Sequence, residues 1–300
     1  MDIVTGSFGY IGKYITRELI NSGRQVRTIT THPDKDNPFG NQVKAFPYNF
    51  DDPDLLTETL KGADVLFNTY WIRFNYKHWS FDKALENTKI LFDCAKQAGI
   101  NKIVHISVTN PSESGPLPYY RGKALQERAL KDTGIAYSII RPTLVFGKED
   151  ILVNNIAWTI RVFPFVPIFG PGNYKVQPIF VEDLASIAVE CATQRESFTI
   201  DAIGPETFTY EEFIQLISSV LNRNVLLIHL WPKLGIFLGN IIGLFVKDVV
   251  LTKDELRGLM ANKLTSNQKV NGKTLFSDWL KSNKDIIGAN YTSELNRHFY

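Results

Sequence analysis

Along the first two hundred residues, short apolar runs alternate with segments whose apolar positions recur every three to four residues. The runs fall at residues 3–5, 25–30, 63–68, 102–107 and 136–141, and each predicts a strand. Between them, residues 10–22, 55–60, 83–98 and 119–131 carry helical spacing. In 83–98, Ala84, Leu85, Thr88, Leu91, Phe92 and Ala95 share one face, and Gly99 ends the segment. Strands that alternate with helices predict a doubly wound parallel sheet covered on both faces. The pattern then changes. Thr209 with Glu212 and Thr252 with Glu255 have capping-box spacing, residues 225–230 suit a strand, and Pro232 suits a helix start. The expected division is a sheet domain over 1–203, with an excursion rich in Pro, Gly and aromatics at 151–178, and a smaller, mainly helical region over 204–300.

Composition removes several classes. Hydrophobic residues at 44% and charged residues at 21% are ordinary for a folded chain, which excludes disordered and collagen-like architectures. Lys and Arg number 33 against 31 Asp and Glu, with no basic run, so no nucleic-acid partner is expected. Cys94 and Cys191 lie far apart, without metal-ligand spacing; neither a disulfide scaffold nor a metal site is expected, and a reducing compartment fits. The first residues form no secretory signal, and the expected location is cytoplasmic. Residues 234–246 are apolar except for Asn240 but fall short of the roughly 20 residues a spanning helix needs. They are expected to be a buried helix or a lid over the substrate, with membrane contact a minor option.

Between the first strand and the first helix stands Thr5-Gly6-Ser7-Phe8-Gly9-Tyr10-Ile11-Gly12. In this setting Gly6 allows the tight turn, Gly9 lets backbone approach a pyrophosphate, and Gly12 brings helix and strand together. The free N–H groups and dipole of the helix start then favour phosphate. These residues predict a dinucleotide cradle on a Rossmann-type sheet. The end of the second strand has no acid to hold the adenosine ribose hydroxyls. Thr31, His32 and Lys35 stand there instead, so NADP(H) is expected over NAD(H), with Lys35 reaching the 2′-phosphate or simply solvated.

Tyr119 and Lys123 are four residues apart and share a helical face. A tyrosine titrates near pH 10 in water, and a neighbouring ammonium favours its phenolate. Such a pair suits proton exchange at a carbonyl or carbinol oxygen, with Lys123 also able to hold a ribose. Either Thr109 or Ser107, at the end of the preceding strand, supplies a hydroxyl to position substrate. Tyr120 is read as a packing residue.

With these residues in place, the chain resembles the extended and atypical short-chain dehydrogenases/reductases. It is most similar to the epimerase/dehydratase-like proteins related to the 39 kDa accessory subunit of respiratory complex I. The resemblance runs from about residue 3 to 204. It rests on the glycine turn, Lys102–Ser107, Tyr119 and Lys123, Arg141-Pro142-Thr143-Leu144-Val145-Phe146-Gly147, and residues 178–185. It implies that Asn49 and Phe50 lie near adenine, that Asn68 and Thr69 follow the fourth strand beside the cofactor, and that Pro142 lines the nicotinamide end. It also implies that the helical C-terminal region is a substrate cap.

Residues 70–81 hold six aromatics in twelve positions, read either as a wall for an apolar or ring-bearing small molecule or as packing. His78 and His105 are read as structural. Glu182 and Asp183 are read as acids at a helix start. Three function classes follow: an NAD(P)-dependent oxidoreductase or epimerase with Tyr119 as general acid/base, a non-catalytic dinucleotide-binding sensor or assembly factor, and, resting only on residues 234–246, a membrane-associated accessory protein.

Overall fold

A computed structural model describes residues 1–234, 248–249 and 252–298. The chain forms two compact units, Met1–Pro142 with Val181–Ala202, and Thr143–Phe180 with Ile203–Tyr300.

The first unit runs β1 (Asp2–Thr5), α1 (Tyr10–Asn21), β2 (Val26–Thr30), β3 (Val43–Pro47), α2 (Pro53–Leu60) and β4 (Val65–Asn68). It continues through α3 (Phe81–Gln97), β5 (Lys102–Ile106), α4 (Pro118–Asp132) and β6 (Ala136–Pro142). After β7 (Leu144–Phe146), α5 (Ile151–Val162), β8 (Phe165–Phe169), β9 (Lys175–Val176) and β10 (Pro178–Phe180) in the second unit, the chain returns with α6 (Val181–Thr193) and β11 (Phe198–Ala202). Seven strands form one parallel sheet in the order β11-β6-β5-β4-β1-β2-β3. This is the doubly wound fold that the alternation predicts. Strand order reverses at β1, and the C-terminal ends of β1 and β4 open the crevice where such sheets bind ligands.

The central strands read as continuous apolar runs because both faces are covered: β1, β4 and β5 are buried along their whole length. Ile3, Leu66, Ile103 and Ile139 of the sheet pack with Leu91, Phe92 and Ala95 of α3 and Leu130 of α4. Sequence periodicity missed β3 for a physical reason. It is the edge strand, only Val43 is buried, and its Pro47 is tolerated because an edge residue need not donate to a ladder.

The second unit holds the segment expected as an excursion, with β12 (Phe208–Thr209), α7 (Tyr210–Val220), β13 (Leu226–Leu230) and the helices Lys253–Met260 and Phe276–Ser282. Both capping boxes form. Phe146, Phe213, Ile217, Phe276 and Trp279 make its core, with Phe213 stacked on Phe276 at 4.8 Å. Residues 232–234 are helical, as Pro232 suggests, and the rest of the apolar stretch 234–246 lies outside the described residues. Among the described residues no helix is long and apolar enough to cross a membrane. Cys94 and Cys191 are both free and buried.

Candidate functional site

The glycine turn is held from three sides. Gly6 sits at φ +67°, a conformation that side chains with a Cβ avoid, and its N–H donates to Ile29 O at 2.8 Å. A Cβ on Gly12 would lie 2.8 Å from the Gly6 carbonyl carbon and closer still to its oxygen. The turn and the first turn of α1 therefore approach as closely as backbone allows. Ser7 N donates to Thr28 Oγ1 at 3.0 Å, and Thr16 Oγ1 donates to Ser7 Oγ at 2.7 Å, so the Ser7 side chain serves the fold from a buried position. Phe8, Tyr10 and Ile11 are partly exposed and Gly9 is exposed at the helix start, where its N–H turns back to Gly6 O. The turn fits a dinucleotide pyrophosphate through its glycines at 6, 9 and 12 and its place at a helix N-terminus.

The end of β4 is tied to the same turn. Thr69 N donates to Thr5 Oγ1 at 2.6 Å and Thr69 Oγ1 donates to Thr5 O at 2.5 Å. Asn68 is fully buried; its Oδ1 accepts from Thr5 Oγ1 and from Tyr70 N. That fixes the amide orientation, so Nδ2 donates to His105 Nδ1 at 3.0 Å. The neutral imidazole then carries its proton on Nε2, which is buried without a partner. Burial, and secondarily the nearby Lys123, holds His105 well below its usual pKa. His105 is a structural link between β4 and β5.

α4 begins at Pro118 and presents Tyr119 half-buried, edge-on to the rings of Trp71 and Phe81. Tyr120 is buried with Val108 and Leu117, as packing requires. Lys123 is buried, and its Nζ donates to Ile106 O at 2.8 Å, at the end of β5. Burial pulls its pKa from 10.5 to about 7, against the pull of Glu127. Glu127 stands one turn further on, where it accepts from Ser107 Oγ at 2.6 Å and from Arg141 Nε and Nη2 at 2.8 and 2.5 Å. A carboxylate held by a guanidinium only accepts, so Ser107 spends its hydrogen there. Thr109 is fully buried, and its N–H donates to Pro142 O at 3.1 Å, which brings Pro142 to the end of β5. Glu127 is not among the residues the sequence points to, and Arg141 enters only through the motif 141–147, without a role in the site. The spacing Tyr119-x3-Lys123-x3-Glu127 was the available signal for the first; nothing local marks its pairing with Arg141 on β6.

At the other end of the crevice, Thr31, His32 and Lys35 are exposed beyond β2. Asn49 adopts φ +47°, and Phe50 stacks on Tyr48 at 4.8 Å and tilts against Tyr70 at 5.3 Å. Of the aromatic stretch, Tyr70 and Phe74 are buried, Trp71 stacks on Phe81, and Tyr76 and Trp79 pair through a tight antiparallel bridge.

A family model described as NAD(P)H-binding matches residues 6–154. The mitochondrial NADH dehydrogenase (ubiquinone) 1 alpha subcomplex subunit 9 of Arabidopsis thaliana is 26% identical over 242 residues, 77% of this chain and 58% of that protein. The chain thus spans less than two thirds of that relative. The triphenylmethane reductase of Citrobacter sp., solved with NADP(H), superimposes with TM-score 0.76 at 18% identity, over 94% of this chain and 99% of that one. A nucleoside-diphosphate-sugar epimerase from Staphylococcus aureus gives 0.76 at 15% identity, over 93% and 99%. At these identities the solved structures establish a shared fold.

Proposed function

We propose that this chain, which matches an NAD(P)H-binding family model over residues 6–154 and shares the fold of epimerases and reductases, binds NADP(H) along the glycine turn, and that Tyr119 moves a proton on a small carbonyl or carbinol substrate. One observation carries the reading. A hydrogen-bonded chain runs from the glycine turn through Thr5, Asn68 and His105 to β5, and Lys123 closes on the Ile106 carbonyl at the end of that strand. The cradle and the Tyr–Lys helix are thereby built onto the C-terminal ends of the same strands, β1, β4 and β5.

A bound nicotinamide supplies or takes up the hydride. The N–H groups at the start of α1 and the helix dipole hold phosphate. Tyr119 is the general acid/base, and Lys123, one turn along the same face, lowers the cost of its phenolate whenever it is charged. With its hydrogen given to Glu127, Ser107 can accept from a carbinol or from a phenol but cannot donate to a carbonyl. Thr109 is the second positioning hydroxyl in this reading. Thr31, His32 and Lys35 in place of an acid support NADP(H) over NAD(H), with Asn49 and Phe50 toward adenine and Asn68, Thr69 and Pro142 along the cofactor. The rings of Trp71 and Phe81 beside Tyr119 favour an apolar or aromatic substrate. Two free, buried thiols are consistent with a reducing compartment such as the cytoplasm.

Titration of the purified chain with NADPH and NADH tests this directly. NADPH is expected to bind more tightly, and Tyr119→Phe is expected to keep that affinity while turnover in a carbonyl screen falls about 10²- to 10⁴-fold. Absence of affinity for both dinucleotides overturns the reading. A second reading, a non-catalytic dinucleotide-binding subunit, is favoured by the name of the Arabidopsis relative and by the turning of Lys123 into the sheet. It predicts cofactor binding without turnover, unchanged in Tyr119→Phe.

A further inference from the structure

Trp71 follows β4 by three residues, and its ring lies against the body of α4. A Cβ on Gly122 would come within 2.5 Å of Trp71 Cζ2, so the indole touches backbone where any other residue would push it away. The same ring stacks on Phe81, with centroids 5.6 Å apart, and lies 5.3 Å from Lys123 Nζ. The same ammonium donates to Ile106 O at 2.8 Å. Lys123 is therefore enclosed between an indole and a strand end.

We propose that Trp71 is a positioning residue for Lys123: wedged on Gly122, its indole keeps the lysine amine turned onto the Ile106 carbonyl and shielded from water. The proposal rests on the reading in which α4 carries the Tyr–Lys pair. Trp71 then decides how much positive charge stands beside Tyr119 near neutral pH. The titratable groups around Lys123 are Glu127 on its own helix and His105 on β5, the last held neutral by burial, with Tyr119 one helical turn away by spacing. Removing the indole has two opposed effects on the lysine. It ends a cation–π attraction, which favours the neutral form, and it admits water, which favours the charged form. Burial is the leading cause of the lysine's low pKa, so hydration wins.

The test follows the Lys123 side chain by NMR with isotope-labelled lysine, assigned through Lys123→Met, in the full chain. In Trp71→Ala the titration midpoint is expected to climb from about 7 by about one pH unit or more, while Trp71→Phe, which keeps a ring on the wedge, stays nearer the parent. Gly122→Ala is expected to lift the midpoint likewise, because the added methyl displaces the ring. In the double variant Gly122→Ala with Trp71→Ala, the methyl has no indole to displace and adds nothing further. A midpoint unmoved in folded Trp71→Ala, or a Gly122→Ala effect that persists in the double variant, overturns the proposal. Dinucleotide titration of the same samples separates this from the functional reading: loss of cofactor affinity in the parent chain removes the function, whereas the lysine titration stands or falls independently.

Discussion

Glu127 shows how one residue converts a surface-like helix spacing into a buried network. Its carboxylate is almost fully enclosed, with Ser107 on one oxygen and the Arg141 fork across both. A buried pair is weak evidence of net stability, but removing one partner strands the other. Arg141 keeps about a quarter of its side chain exposed, so part of its charge would regain water in Glu127→Ala. The expected loss is accordingly about 3 kcal/mol, the low end for breaking a buried pair, read as a fall in urea midpoint at constant slope. A loss below about 1 kcal/mol would mean that Arg141 rehydrates fully. The same variant frees the Ser107 hydrogen, so a carbonyl substrate would gain a donor as the fold loses stability. This residue-scale chemistry was only half legible. Tyr119 and Lys123 announce themselves by spacing on one helix; Glu127 only continues that spacing, and its partner on β6 comes from sheet order, which no local pattern encodes.

At the scale of elements, the β1–turn–α1 unit carries the dinucleotide reading, and Gly12 is its tightest point. An added methyl would collide with the Gly6 carbonyl, which is backbone and cannot swing aside as a flexible side chain would. Gly12→Ala should cost about 1–3 kcal/mol, as overpacking does, and should weaken NADPH by more than tenfold because α1 must move off the turn. A thermal melt with a cofactor titration checks both, and unchanged affinity would show that phosphate is held elsewhere. This unit was legible because each glycine answers a local demand. The central strands were legible because two-sided burial leaves an uninterrupted apolar run. β3 was hidden for the converse reason, since an edge strand with one buried residue has almost no pattern. The Trp71 wedge was hidden too: six aromatics in twelve residues show that the segment packs, not which ring meets Gly122.

For the molecule as a whole, buried titratable groups give stability a defined pH profile. Lys123 falls from 10.5 to about 7 on folding, so between those values the unfolded chain holds the extra proton. Its contribution is complete above 10.5 and is lost as pH falls toward 7, which makes stability rise with pH through that window. His105, held below its usual 6.5, extends the same slope to acid. Other buried groups act oppositely. The Cys191 thiol is raised from 9.0 to about 11 and the Tyr210 phenol from 10.0 to about 12, so stability they support below 9 and 10 is lost as pH climbs through those ranges. Between pH 7 and 9 the lysine therefore acts with little opposition, and above 9 the thiol and phenols offset it. Melting temperature should rise from pH 7 to 9 and then level or fall. Lys102, also lowered by burial, adds to the same slope. Lys123→Met, which keeps the buried stem and discards the amine, should therefore flatten the rise to the part Lys102 supplies while leaving the alkaline decline. Parallel melts of the two proteins across pH 6–11 decide it: equal slopes between 7 and 9 would show that Lys123 keeps one protonation state there, and with it a fixed charge beside Tyr119.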